Sequence, residues 1–220
     1  MNLTPARLEA LAEDDIVIQN LLKRRLALTY DEFREALSDD LLSVIRLLEE
    51  NPQHYRSDTE DATTQRIIDM LTCMGYSAHH NRQSGGNVDV TVEVTRRNFK
   101  WLGEAKKFES VGDLREGYLQ LATRYRTGMD VNGVLHGGLI GYLRRPDAVR
   151  CIKDWREHFA SQDFAAEAKF VDCVRRGPLG FFSEHAHKDY GLPLRVWHFC
   201  AVLHFKPEDL SGRQAATYRT

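Results

Sequence analysis

The sequence predicts an α/β chain preceded by a helical segment, on three observations. Val88, Val90, Val92 and Val94 alternate with Asp89, Thr91, Glu93 and Thr95, the period-2 pattern of a strand. Segments with apolar residues at helical spacing stand on both sides of it. The resulting order of helix, hairpin, helix, strand, helix, strand interleaves the two element types, as α/β cores do.

Residues 5–27 read as a helix, with Leu8, Leu11, Ile16, Ile18, Leu21, Leu22 and Leu26 roughly at helical spacing. A second helix is expected from Asp31 to Glu50, broken near Ser38-Asp39-Asp40, where Ser38 caps a new start. Asn51-Pro52 ends it, because the residue before proline is pushed out of the helical region. Residues 1–52 are therefore expected to form a small helical appendage, and 53–220 the main domain. Ser57-Asp58-Thr59-Glu60 has the form of a capping box, and Ile67, Ile68 and Leu71 continue the helical period up to Gly75. Asn81 to Asn87 is a loop by composition. After the Val-rich strand, Arg96-Arg97-Asn98 makes a turn and Phe99 to Ala105 returns. A helix from Asp113 to Arg126 carries Leu114, Tyr118, Leu121 and Tyr125 on one face. Gly138 to Leu143 is a third strand, Pro146 opens a helix with Val149, Ile152, Trp155 and Phe159, and Leu194 to Phe205 is a last long strand.

Composition narrows the function classes. The chain's 220 residues, 42% apolar and 28% charged, suffice for one core of ordinary size plus a satellite. No apolar run approaches the roughly 20 residues of a spanning helix, and the first 15 residues turn acidic without a signal-type apolar block, so a cytoplasmic protein without membrane attachment is expected. Cys73, Cys151, Cys173 and Cys200 are scattered with no C-x-x-C pair, which reads as buried reduced thiols. The net charge of −2 conceals an asymmetry: residues 1–61 hold 7 Lys/Arg against 14 Asp/Glu, and the remainder 23 against 18. If a polyanion is bound, the second part binds it.

The chemistry concentrates on the hairpin. With its turn centred between Arg96 and Arg97, Asp89 faces Glu104, Thr91 faces Leu102 and Glu93 faces Lys100. Lys106, two residues beyond Glu104, projects on the same face. Two carboxylates and an ammonium then converge, and paired carboxylates repel unless a cation or proton lies between them. Hard oxygen ligands at that separation suit Mg²⁺ or Mn²⁺. The opposing reading is a polar surface in which Lys106 merely pairs Glu104. A second E-x-K, Glu167-Ala168-Lys169, is a control: it follows a helical segment and has no Asp-bearing strand upstream.

Gly85-Gly86-Asn87-Val88-Asp89 followed by Trp101-Leu102-Gly103-Glu104-Ala105-Lys106 resembles the PD-(D/E)xK, restriction-endonuclease-like nuclease superfamily. The resemblance covers roughly residues 57–145, with Val88 in place of the proline of the family name. It implies a mixed sheet flanked by helices and a DNA nuclease (DNA in preference to RNA) dependent on Mg²⁺ or Mn²⁺. Asp89, Glu104 and Lys106 are its expected catalytic residues. The expected metal ligands are Asp89, Glu104, the Ala105 carbonyl and Glu60, which matches the family's upstream acidic position. Glu60 as a helix-capping residue, with Asp61 behind it, stays open. Gln120 to Tyr125 is similar to the Q-x-x-x-Y motif of RecB-like members, one residue out of spacing.

Residues 95–126 hold 8 basic against 4 acidic residues, so Arg96, Arg97, Lys107, Arg115, Gln120 and Arg124 are expected nucleic-acid contacts. The acidic N-terminal helices are expected to dock a second copy or a protein partner, as effectors of bacterial defence and restriction systems do by family analogy. The alternative is an inactive member of the same fold that binds nucleic acid or protein. His79-His80, His185, His187, His198 and His204 read as core or surface histidines. Gly85-Gly86 precedes a strand and so does not form a phosphate-cradling loop.

Overall fold

All nine residues of Leu135–Leu143 are buried, and only a strand covered on both faces holds so continuous a run. The computed structural model of the chain describes residues 4–80, 82–83, 86–124 and 128–209. In chain order its elements are α1 (Pro5–Asp14), α2 (Ile16–Leu26), α3 (Tyr30–Glu50), α4 (Glu60–Cys73), β1 (Ser77–His79), β2 (Arg82–Gln83), β3 (Asn87–Val88), β4 (Val90–Val94), β5 (Phe99–Lys107), α5 (Val111–Arg124), β6 (Gly128–Met129), β7 (Leu135–Leu143), α6 (Ala148–Ala160), β8 (Lys169–Asp172), β9 (Gly180–Ala186) and β10 (Pro193–Val202). The main sheet runs β1-β4-β5-β7-β10-β9-β8, with β6 added to β7, and β2 pairs β3 apart from it. The central strands β5, β7 and β10 are parallel, and the outer pairs are antiparallel. The expected class, a mixed sheet flanked by helices, is what the chain adopts.

Two apolar layers cover the sheet. On one face α3 and α4 pack Leu37, Leu41, Ile45, Ile67 and Leu71 with Val90, Trp101, Ala105, Ile140 and Phe199. On the other, α5 and α6 pack Leu114, Tyr118, Leu121, Ile152 and Trp155 with Leu102, Leu139 and Val196. The period-2 alternation of β5 thus sends Ala105 to one layer and Glu104 with Lys106 to the other side.

Several expectations shift. The helix expected over 5–27 divides at Asp15, whose side chain accepts from Val17 N at 2.8 Å and Ile18 N at 3.3 Å and starts α2. The break expected at Ser38 does not occur: Ser38 Oγ donates to the Arg34 carbonyl at 2.7 Å inside an unbroken α3. That helix starts instead at a capping box of Thr29 and Glu32. Because α3 shares one apolar cluster with the sheet, it belongs to the core, and residue 52 does not separate it from the main domain. What stands outside is the α1–α2 segment, since α2 has no buried residue. The strands β1, β2, β6, β8 and β9 were not expected; β2, within the stretch expected to be a loop, pairs β3, and β8 is a short, largely exposed edge whose pattern carries no apolar alternation. Tyr125, Arg126, Asn81, Ser84 and Gly85 lie outside the described residues. No helix among the described residues is long and apolar enough to cross a membrane.

Candidate active site

The hairpin has the expected register: Thr91 faces Leu102 and Glu93 faces Lys100. The ladder ends at Val90–Gly103, so Asp89 is not a ladder partner of Glu104. It occupies a bend between β3 and β4, and its Oδ2 accepts from the Ala105 amide at 3.0 Å. The side chains nevertheless converge. Lys106 Nζ lies 2.7 Å from Glu104 Oε1, 3.5 Å from Asp89 Oδ2 and 3.6 Å from Glu60 Oε1.

Glu60 arrives from the other layer. The N-cap of α4 is Thr59, whose Oγ1 accepts from Ala62 N at 3.1 Å, so Ser57 is not the cap and Glu60 is not the third residue of a capping box. The Glu60 carboxylate reaches the end of β5, where Oε2 accepts from the Lys107 amide at 2.6 Å. This turn is fixed to β7 as well. Thr64 Oγ1 donates to the Glu60 carbonyl and lies 2.9 Å from Tyr142 Oη, and Arg144 Nη1 donates to the Asp58 carbonyl at 2.7 Å. Gly117 of α5 closes the other side: a Cβ there would lie 2.7 Å from Lys106 Cγ, so only glycine lets α5 approach the lysine stem this closely.

Glu104 is 1% exposed, and a buried carboxylate is tolerable only when paired. Burial pushes Lys106 down, but its hydrogen bond to Glu104 and the charges of Glu104, Asp89 and Glu60 outweigh this and hold it above its ordinary range. Lys106 is accordingly a charged ammonium, suited to placing charge rather than to removing a proton. Three carboxylates around one ammonium leave two net negative charges, and their hard oxygens match Mg²⁺ or Mn²⁺ in charge and type. The oxygens surround the lysine, however, instead of closing on a common point. Among the described residues, the group whose ligand atoms already lie within 4.8 Å of one another is Asp31, Asp130 and His136, at the far end of the sheet. There Asp130 Oδ1 accepts from Asn132 N and Val134 N and Oδ2 pairs His136 Nε2 at 2.9 Å, so that group ties a loop. Ala105 is buried in the α3–α4 layer with its amide spent on Asp89.

The expected nucleic-acid contacts separate. Lys107 adjoins the acidic centre, and Arg115, in the second turn of α5, is tied to Gln162 and Glu116. Arg96 and Arg97 occupy the turn before β5, seven residues or roughly 23 Å of strand from Glu104. Arg124 ends α5 at that same far end. Gln120 Oε1 is buried without a hydrogen-bond partner. Missed in the sequence were Tyr142, Arg144 and Arg145, where a paired arginine directly after an apolar strand was the available signal.

The bland readings mostly hold. Glu167 and Lys169 of the control triplet are exposed. His198 is buried, and because the Trp155 indole can only donate, His198 Nδ1 accepts at 3.2 Å and Nε2–H faces Ser183 Oγ at 2.7 Å. That tautomer cannot deprotonate the serine, so the pair is structural. The cysteines are free, but Cys73 is exposed and not buried as expected. No family model, curated protein or solved structure matches the chain.

Proposed function

We propose that the chain is a divalent-metal phosphodiesterase of the PD-(D/E)xK, restriction-endonuclease-like kind, cleaving DNA. The observation that carries this reading is the ring of Glu60, Asp89 and Glu104 around Lys106, drawn from α4, the β3–β4 bend and β5 to the carboxyl ends of the parallel strands. That edge is where open α/β sheets bind ligands. Glu60, Asp89, Glu104 and the Ala105 carbonyl would hold Mg²⁺ or Mn²⁺, which when bound supplies an activated water and offsets charge developing on the phosphate. Lys106 would set its charge against the reacting phosphate. Asp89 and Glu60 also accept from the β5 amides of Ala105 and Lys107, which ties both carboxylates to the strand that carries Glu104.

Incubation with supercoiled plasmid, linear duplex and single strands in Mg²⁺ and in Mn²⁺ tests it. Cleavage should require metal and fall about a hundredfold or more in Glu104→Ala and in Lys106→Ala, the scale of losing one preorganised charge. Cleavage that survives both changes sinks the assignment. A second reading, an inactive member of the same fold that binds nucleic acid or protein, is favoured by the closure of the carboxylates on Lys106. Such a protein gains no Glu104-dependent thermal stability from Mn²⁺.

A further inference from the structure

Directly beside the acidic centre, the ends of β5 and β7 open into a cleft of about 240 Å³ lined by Lys107, Phe108, Glu109, Tyr142, Arg144 and Arg145. Its charge is opposite to that of its neighbour: three cations and one carboxylate. The two sites share a wall, because Lys107 faces Tyr142 across the β5–β7 pair and its own amide donates to Glu60.

The three cations differ in how they are held. Arg144 is spent on the fold, with Nη1 on the Asp58 carbonyl and Nη2 on Thr63 Oγ1. Arg145 has no carboxylate within ion-pair distance among the described residues. Its guanidinium lies over the Phe108 ring at 5.4 Å, and its Nε is buried without a hydrogen-bond partner. Lys107 likewise has no carboxylate partner among the described residues, although Lys106 one position earlier has three. Two cations that form no ion pair among the described residues, in a cleft whose one carboxylate is Glu109 and next to a centre with excess negative charge, match a ligand that carries a phosphate and is bridged to that centre by a divalent cation.

We infer that Lys107 and Arg145 form a phosphate subsite that seats a backbone phosphate of the DNA strand next to the reacting one. The inference rests on the phosphodiesterase reading for the identity of the strand, but binding at the cleft is measurable without metal or turnover. Arg145 presents a planar fork suited to two phosphate oxygens, while Lys107 adds a point charge. Arg96, Arg97 and Arg124, at the far end of the sheet, lie outside this subsite.

The test is fluorescence anisotropy of the full chain with a labelled single-stranded DNA oligonucleotide in chelator, for the native protein, Lys107→Ala, Arg145→Gln, the double variant and Glu104→Gln. Lys188→Ala, in the β9–β10 turn at the opposite end of the sheet, is the control. Arg145→Gln removes the guanidinium and keeps part of the aliphatic stem, and a melting curve for each variant establishes that it is folded. The double variant should bind about tenfold more weakly, and the slope of log affinity against log salt should fall by about one per cation removed. Lys188→Ala should bind as the native chain. Competition by inorganic phosphate, a mononucleotide and unlabelled oligonucleotide separates the possible phosphate sources, and a strand subsite requires the oligonucleotide to compete best. Unchanged affinity and slope in the double variant overturn the inference, as does a native chain that binds no oligonucleotide or a mononucleotide that competes equally well. Retained binding in a Glu104→Gln protein, when neither it nor the native chain cleaves once Mg²⁺ or Mn²⁺ is supplied, would mean the subsite stands and the phosphodiesterase reading fails.

Discussion

Replacing Lys106 with methionine keeps most of the side chain's length and apolar contact while removing the charge that three carboxylates share. Lys106 lies 2.7 Å from Glu104, whose side chain is 2% exposed, and its own side chain is 17% exposed. Removing one partner of a buried ion pair costs about 3–5 kcal/mol, because the other charge stays behind uncompensated. Partial solvent access at Lys106, and two further partners at 3.5 and 3.6 Å that retain some hydration, put this case near about 3 kcal/mol. For a chain of this size each kcal/mol moves the melting temperature by about 2–4 °C, so Lys106→Met should melt about 6–12 °C below the native chain in chelator. The variant should then recover with Mn²⁺ or Mg²⁺, by about 2.7 kcal/mol at a hundredfold excess over its dissociation constant. Scanning calorimetry in chelator and across a metal titration measures both. A variant that melts with the native chain in chelator would refute the view that the ammonium holds the carboxylates together. A destabilised variant that no divalent cation rescues would show that these oxygens cannot close on a metal.

Three further outcomes follow from the same geometry. Burial depresses the pKa values of His198, His136, His185 and His187, so protonation favours the unfolded chain: the stability is present above the unfolded value near 6.5 and lost as pH falls from there toward the folded values. Melting temperature should therefore drop between pH 7 and 5, and less steeply in His198→Gln; equal slopes would remove His198 from the cause. Gly117→Ala places a methyl 2.7 Å from Lys106 Cγ and should cost about 1–3 kcal/mol in melting experiments while lowering cleavage by more than a comparable core change such as Leu121→Val. Full activity at native stability would mean that the lysine stem moves freely. Finally, α2 exposes Ile16 and Val17 at 64% and 68% and Leu26 at 64%, and no residue of it is buried. Ile16→Ser combined with Leu26→Ser should shift self-association in sedimentation velocity with less than about 0.5 kcal/mol change in stability, the range of ordinary surface changes. If the native chain is monomeric at high concentration, this face does not dock a second copy.

The hairpin was legible because its information is local. A run of alternating valines fixes which side chains share a face, and a turn centred on Arg96-Arg97 fixes the register, so Glu104 and Lys106 were placed together from spacing alone. The same local logic left Glu60 open between a helix cap and a place at the acidic centre. Four consecutive residues, Ser57 to Glu60, have the form of a capping box, yet Thr59 takes the cap and Glu60 bonds a strand 47 residues away. The Lys107 amide at the end of β5 is the group that Glu60 reaches, and no short window of sequence contains both.

Charge density along the chain did not give the spatial arrangement of the cations. Arg96, Arg97 and Arg124 count toward one basic segment in the chain, but β5 and α5 carry them to the end of the sheet away from the carboxylates. Arg144 and Arg145 are distant in sequence and adjacent in space, because β7 lies parallel to β5 with Lys107 beside Tyr142. Amphipathic period and strand alternation, which depend on neighbours within a few residues, thus determined the fold class and the Glu104–Lys106 pair. The reach of Glu60 to the Lys107 amide, the bend that turns Asp89 onto the Ala105 amide, the assignment of α3 to the core and the basic cleft at the strand ends depend on pairing across long stretches of chain. Only the packed sheet decided them.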